Sequence, residues 1–196
     1  MATDYSTMSG DKWEKVARSL LHSTGIDRRA QVMKEAHEVL SLYGVKHWLA
    51  MSALLGIFRE GDLLERDEDV DFYCLAEQLT EQCIANLKGH FLSIGYDVHG
   101  NVDKARLEVF KDGECVSFMG HFLERGHACR CFKNRLVPVS MFSTDPSHVI
   151  HYRGVDYPCM WPVKKYLQWQ YKDWKKPYYG PPEDRDRYMN KRKVVR

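Results

Sequence analysis

Residues Trp48–Cys74 read WLAMSALLGIFREGDLLERDEDVDFYC. The run Lys46 to Ala50 reads as a short strand, Ser52 to Arg59 is compatible with a helix, Gly61-Asp62 makes a turn, and Asp69 to Cys74 alternates as a second strand. Alternate residues of a strand project to one face, so Asp69 and Asp71 point the same way, a few ångströms apart. Two carboxylates held this close repel unless a cation sits between them. Oxygen-only ligation of that kind suits Mg²⁺ or Mn²⁺. Asp67 adds a third carboxylate to that face if the strand starts early enough, whereas Glu68 points to the opposite one.

The strand, sharp turn and helix ahead of the acidic run supply the opposite chemistry. Backbone N–H groups at a helix start, with the Ser52 hydroxyl, can hold a phosphate. Arg59 at the helix end could neutralise a further phosphate oxygen. An Asp-x-Asp by itself occurs often in solvated turns, and Arg59 is equally readable as an exposed helix-end arginine. The pairing of a cation site with an anion site is what a nucleotide phosphate and its metal require.

Working outward, Asp11 to His22 and Asp27 to Tyr43 carry apolar residues at helical spacing, with Asp27 as a good N-cap and Gly44 placed to end the second helix. Ala76 to Leu92 reads as one helix and Gly95 to Val98 as a strand. Ala105 to Lys111 and Glu114 to Leu123 flank Asp112-Gly113, a strong two-residue hairpin signal. Strand-like runs follow near Arg130 to Phe132 and Arg135 to Met141. His148 to Arg153 and Val155 to Cys159 form a small hairpin about Gly154, and Pro162 opens a last helix to Lys172. This order predicts an α+β domain. It divides into a helical lead-in (1–26), a main domain (27–178) that includes a small helical and aromatic extension, and a polar basic tail (179–196).

The stretch Trp48–Cys74 resembles the signature of the LicD/fukutin family: a Trp-Leu, a small-residue turn, Leu-Leu-Gly, an Arg, a Gly, then Asp-x-Asp-x-Asp. Tyr157-Pro158 to Pro177, with Tyr166-Leu167 and Tyr171-Lys172-Asp173-Trp174, is similar to that family's closing segment. The resemblance implies a nucleotidyltransferase-like mixed sheet flanked by helices. It implies transfer of a phosphocholine- or ribitol-phosphate-like group from a CDP-linked donor to a glycan or small-molecule hydroxyl, with a metal at Asp69 and Asp71. Two positions depart from the pattern: Met51 and Ser52 stand where the family has paired glycines, and Ser117 stands where it has a third carboxylate. Counting back from a two-residue turn pairs Glu108 with Ser117, so Glu108 is placed to supply the missing acid as ligand or general base.

Twenty-nine basic residues against 27 acidic ones leave a net charge of +2, with no basic stripe of a dedicated nucleic-acid binder. The basic cluster Lys191 to Lys193 with Arg196 reads as a solvated tail. No segment approaches the roughly 18 apolar residues of a membrane span. Met1 to Lys12 lack an apolar core, so a cytoplasmic setting with six free cysteines is expected. His121, His127, Cys129 and Cys131 match no common zinc spacing and read as alternating strand residues. Trp161, Tyr166, Trp169, Tyr171, Trp174, Tyr178 and Tyr179 read as core packing and lid, or as an acceptor groove. Two rivals remain: a small nucleotidyltransferase of the aminoglycoside or lincosamide type, which releases pyrophosphate, and an inactive binding domain of the same fold.

Overall fold

The computed structural model describes residues 2–22, 25–124, 127–130 and 136–177, with residues 127, 129 and 130 described by backbone alone. The basic tail, Cys131, Tyr178 and Tyr179 lie outside the described residues.

A mixed sheet organises the chain. In order come α1 (Gly10–Leu20), α2 (Ile26–Leu42), β1 (His47–Leu49), α3 (Met51–Glu60), β2 (Asp69–Leu75), α4 (Glu81–Ser93), β3 (Asp97–Asn101), β4 (Arg106–Lys111) and β5 (Glu114–Glu124). Then follow β6 (His127–Arg130), β7 (Leu136–Pro138), the separate hairpin β8 (Val149–Tyr152) and β9 (Val155–Pro158), and α5 (Val163–Gln170). The main path is β1-β2-β5-β4-β3, with β6 and β7 continuing from β5. Only the β2–β5 pair is parallel among these strands. The architecture is α+β, as the element order predicts.

Of the boundaries that differ from the sequence reading, three have a local reason. The expected helix Ala76–Leu92 is a short 3₁₀ turn at Ala76–Gln78 followed by α4, because the Thr80 hydroxyl accepts from the Cys83 N–H at 3.2 Å and starts a new helix. Gly95 has φ +90°, which makes it a turn, so β3 begins at Asp97. Gly25, not Asp27, caps α2, and Asp27 falls in its first turn.

One face of the sheet carries Val70, Phe72, Val116, Phe118, Val109, Leu107 and Val98, all buried. Helices α2 and α4 cover it, with Phe91 of α4 stacked on Phe118 at 5.8 Å between centroids. Arg29 of α2 is buried on this side and pairs with Glu114 at 2.8 Å, while its Nη1 donates to the Leu64 carbonyl at 2.9 Å. The returning loop 62–68 lies against α3 because residue 56 is glycine. A Cβ there would stand 2.7 Å from the Asp62 carbonyl oxygen and 2.9 Å from the Leu64 nitrogen. Gly61, in the left-handed region at φ +78°, ends α3 and turns the chain back. This return lays the acidic strand beside the start of α3.

Candidate active site

Alternation on β2 places Asp69 and Asp71 on the sheet face opposite to Val70 and Phe72. Asp71 is buried and Asp69 half-buried. Register extends the two rows across the sheet. Asp71 faces Ser117, Ser117 faces Glu108, and Glu108 faces His99; the next row is Asp69, Cys115, Phe110 and Asp97. The hairpin turn at Asp112-Gly113 therefore sets Glu108 opposite Ser117, as counted from the sequence. Asp67 lies ahead of β2, which begins at Asp69. It is buried at 3% exposure in the loop and not part of the strand's alternation.

The start of α3 adjoins Asp71, whose carbonyl accepts from the Ala50 N–H at 3.0 Å. Met51 adopts φ +53°. That is the left-handed conformation glycine favours, so the glycine-like turn survives the loss of glycine at a steric cost of about 1–2 kcal/mol. The strain is held by α5: the Met51 N–H donates to the Tyr166 hydroxyl at 3.1 Å, and Gln170 Nε2 donates to Met51 Sδ at 3.0 Å. Tyr166 is fully buried, and burial pushes its phenol well above the usual range, so it stays protonated. Ser52, half-buried, follows in the first turn of α3.

Arg59 sits at the far end of that helix. Its guanidinium donates to Glu60 at 2.5 and 3.0 Å and to the carbonyls of Trp174 at 3.1 Å and Lys176 at 3.4 Å. It thus fastens the segment after α5 to α3, with Phe58 and Trp174 packed alongside at 5.7 Å. Of the aromatic group, Tyr166, Trp169 and Tyr171 are buried in the main core, so these three pack rather than line an open groove.

Glu108 is buried and gathers donors from three elements. Arg106 Nη2 reaches Oε1 at 2.7 Å, while Trp13 Nε1 and His99 Nδ1 lie 3.3 Å from Oε2. Burial raises the carboxyl, but the His99 hydrogen bond, the Arg106 charge and the Trp13 indole outweigh it and hold it below the usual carboxylate range. The group is ionised at neutral pH and a weak base. Its backbone stands two strands from Asp71, roughly 10 Å at about 4.8 Å per strand step. Cys115 lies between the two centres; burial, then the charges of Glu108 and Asp69, push its thiol well up.

The sequence reading missed two participants. Helix α1 packs on this same face: Trp13 stacks on His99 at 3.9 Å and 9° and buries Phe110 and Cys115. The signal was the apolar stripe of α1, which fixes a buried side but not a partner. Tyr166 was visible only as part of a closing motif, without its role at Met51. Among the described residues, no group of three or more His, Cys, Asp or Glu is arranged to hold a metal. The two same-face aspartates do fit a magnesium-type ion, which binds through one or two carboxylates and completes its shell with phosphate oxygens and water.

Residues 44–186 match the family model LicD/FKTN/FKRP, nucleotidyltransferase domain. The chain belongs to this family. It has the transferase fold of the nucleotidyltransferases. A comparison with curated proteins finds no match. Solved structures similar to this LicD-family chain include ANT(2'')-Ia in complex with adenylyl-2''-tobramycin, at 10% identity over 80% of this chain and 83% of that one, TM-score 0.46. Another is the lincosamide antibiotic adenylyltransferase LnuA, lincomycin-bound, at 16% identity over 63% of this chain and 74% of that one, TM-score 0.40. No helix among the described residues is long and apolar enough to cross a membrane.

Proposed function

We propose that this chain is a Mg²⁺- or Mn²⁺-dependent transferase that moves a phosphoryl-linked substituent, of the phosphocholine or polyol-phosphate kind, from a CDP-type donor to a hydroxyl acceptor. The observation that carries the proposal is the placement of Asp69 and Asp71 on one face of β2 beside the glycine-like turn at Met51. Asp69 and Asp71 would hold the ion, which would supply neutralising charge for the donor diphosphate and the departing nucleotide. Ser52 and the first turn of α3 bind the diphosphate, where helix-start N–H groups favour an anion. Arg59 acts by fixing the segment 174–176 to α3, and reaches a phosphate only by exchanging a carbonyl partner for it. The phosphorus–oxygen bond to the nucleotide breaks as the acceptor oxygen bonds to phosphorus; the hydroxyl proton passes to water, and CMP leaves. Glu108 orients the acceptor hydroxyl from the neighbouring strands.

Incubation with Mg²⁺, CDP-choline or a CDP-polyol, and a sugar acceptor tests the reading by its products. CMP release with transfer of the substituent supports it. Pyrophosphate release from ATP or CTP, with transfer of the nucleotide, would instead establish the adenylyltransferase-like reaction. Two observations favour a further reading, an inactive binding domain: Ser117 stands in place of an acid, and the Met51 N–H is already bonded to Tyr166. Calorimetry separates it, since a domain with no metal-dependent nucleotide binding has no such chemistry.

A further inference from the structure

Residue 51 is where the chain leaves the sheet for a helix. The β1 ladder runs on by one residue, with the Ala50 N–H on the Asp71 carbonyl, and α3 makes its first i−4 bond from Leu54 to Ala50. The N–H groups of Met51, Ser52 and Ala53 precede that bond and must find acceptors outside the helix. Ala50, at the N-cap position, has no side-chain oxygen to offer them. For Met51 the acceptor comes from another helix, as the buried Tyr166 hydroxyl of α5.

That hydroxyl has a second partner. It is hydrogen-bonded to Tyr73, whose ring meets the Tyr166 ring edge-on at 6.3 Å and 86°. Tyr73 is buried on β2, two residues from Asp71 and on the same face, with its ring packed on His121 at 4.2 Å. One turn further along α5, the buried Gln170 holds the other end of residue 51, its Nε2 donating to Met51 Sδ at 3.0 Å. Residues four apart on a helix share a face, so a single stripe of α5 grips both the backbone and the side chain of Met51. The grip matters because φ +53° is disfavoured for any residue with a Cβ, and no i−4 bond fixes the Met51 N–H.

We infer that Tyr166 and Gln170 are positioning residues. They hold residue 51 in the left-handed conformation and tie the turn to β2 at Tyr73, so that the diphosphate-binding N–H groups of Ser52 and Ala53 stay in register with the carboxylates of Asp69 and Asp71. Both act through residue 51 and not by touching the donor, which gives the Met51–Tyr166 bond a role other than blocking the site. The proposal rests on the transferase reading for what the turn binds, not for how the turn is held. The test compares two backgrounds of the full chain. Calorimetry with Mg²⁺ and either CDP-choline or CTP is run on Tyr166→Phe and Gln170→Leu, each alone and each combined with Met51→Gly. Glycine takes up the left-handed conformation unaided and has no side chain for Gln170 to hold.

Tyr166→Phe alone should weaken nucleotide binding roughly tenfold, the worth of one left-handed residue, and Gln170→Leu about threefold. Combined with Met51→Gly, each should cost less than about twofold, because the coupling between contacting residues goes with the contact. Equal losses in both backgrounds overturn the proposal, since a residue that serves the fold at large, or touches the donor, does not depend on residue 51. No loss in either background overturns it as well. A second measurement needs no nucleotide: positive φ gives Met51 a strong intraresidue amide–Hα NMR cross-peak, which should weaken in ligand-free Tyr166→Phe. An unchanged cross-peak refutes the positioning role whatever the chain binds. A weakened one in a chain that never binds Mg²⁺ with nucleotide supports that role and refutes the transferase reading. Should Tyr166→Phe fail to fold, Gln170→Leu carries both measurements with the same outcomes.

Discussion

The two faces of the sheet are built from the same strands to different ends. On one, α2 and α4 close over Val70, Phe72, Val116 and Phe118, and a buried charge pair, Arg29 with Glu114, is satisfied within the fold. On the other, α1 and α5 cover the flanks, and the row Asp71, Ser117, Glu108, His99 runs across the middle. Period-two alternation sorts every residue of β2, β4 and β5 to one side or the other. The lesson is a division by parity: one side is closed by apolar packing, the other carries the polar row on which the proposed transferase function rests. Substitutions should therefore separate cleanly into those that cost activity and those that cost folding.

The largest effect should come from Asp71→Asn. Loss of one of the two carboxylates proposed to hold the ion is expected to lower turnover roughly a thousandfold, about 4 kcal/mol in the barrier. Thermal stability should hold or rise, because a same-face repulsion with Asp69 is relieved. Product formation and a melting curve on one preparation decide it; a large fall in melting temperature would place Asp71 with the structural face instead. The mirror experiment on the other side is Arg29→Met. It strands the Glu114 charge in the core and should cost about 4 kcal/mol in guanidinium unfolding. Adding Glu114→Gln should recover much of that loss, and a double variant no better than the single would show that packing, not charge, is what Arg29 contributes.

How far this division was legible in the sequence depends on range. Asp69 and Asp71 sharing a face follows from two residues of strand, and Glu108 opposite Ser117 follows from a two-residue turn; both are local rules. Asp67 failed the same rule because the start of a strand is set by pairing with β1 and β5, which no local pattern fixes. What α1 covers was also invisible. Trp13 occupies a buried stripe in any helical reading, but its stacking on His99 joins residues far apart in the chain. Arg59 shows the same limit: its chemistry suits a phosphate, and only the path of the segment after α5 shows which carbonyls it holds.

A smaller effect should follow pH on the structural side. His47 of β1 is buried against Phe72 and hydrogen-bonded to His37 at 2.7 Å. Burial, with the neighbouring His37, pushes its imidazole down to about 4, against the hydrogen bond to the Val45 carbonyl. The folded value lies below the unfolded one of about 6.5, so the unfolded chain takes up the proton first as pH falls. Stability should thus decline from about pH 6.5 to about 4, by as much as about 3 kcal/mol, and this contribution should be flat below that. Denaturant midpoints across that window check it, and His47→Gln should flatten the slope. Glu35, held near 2 despite burial by hydrogen bonds from Gln31, Lys111 and Tyr96, adds a separate loss only below about 4.5.

The smallest effect tests the seam between the two sides, where Met51 carries backbone strain next to the aspartates. Met51→Ala removes the side chain and the Gln170 contact but keeps a Cβ at φ +53°. Met51→Gly removes both. Glycine usually costs a helix about 1 kcal/mol relative to alanine. That penalty assumes right-handed backbone, which residue 51 does not have, and the left-handed conformation costs alanine about 1–2 kcal/mol that glycine escapes. The glycine variant should therefore be the more stable of the two by about 1 kcal/mol, read as a shift in denaturant midpoint at unchanged slope. It should also bind nucleotide with Mg²⁺ at least as tightly, because a residue without Cβ lets phosphate approach the turn. An alanine variant equal to or more stable than the glycine one would mean that the turn relaxes in solution and that the Tyr166 hydrogen bond, rather than the backbone, sets the geometry beside Asp71.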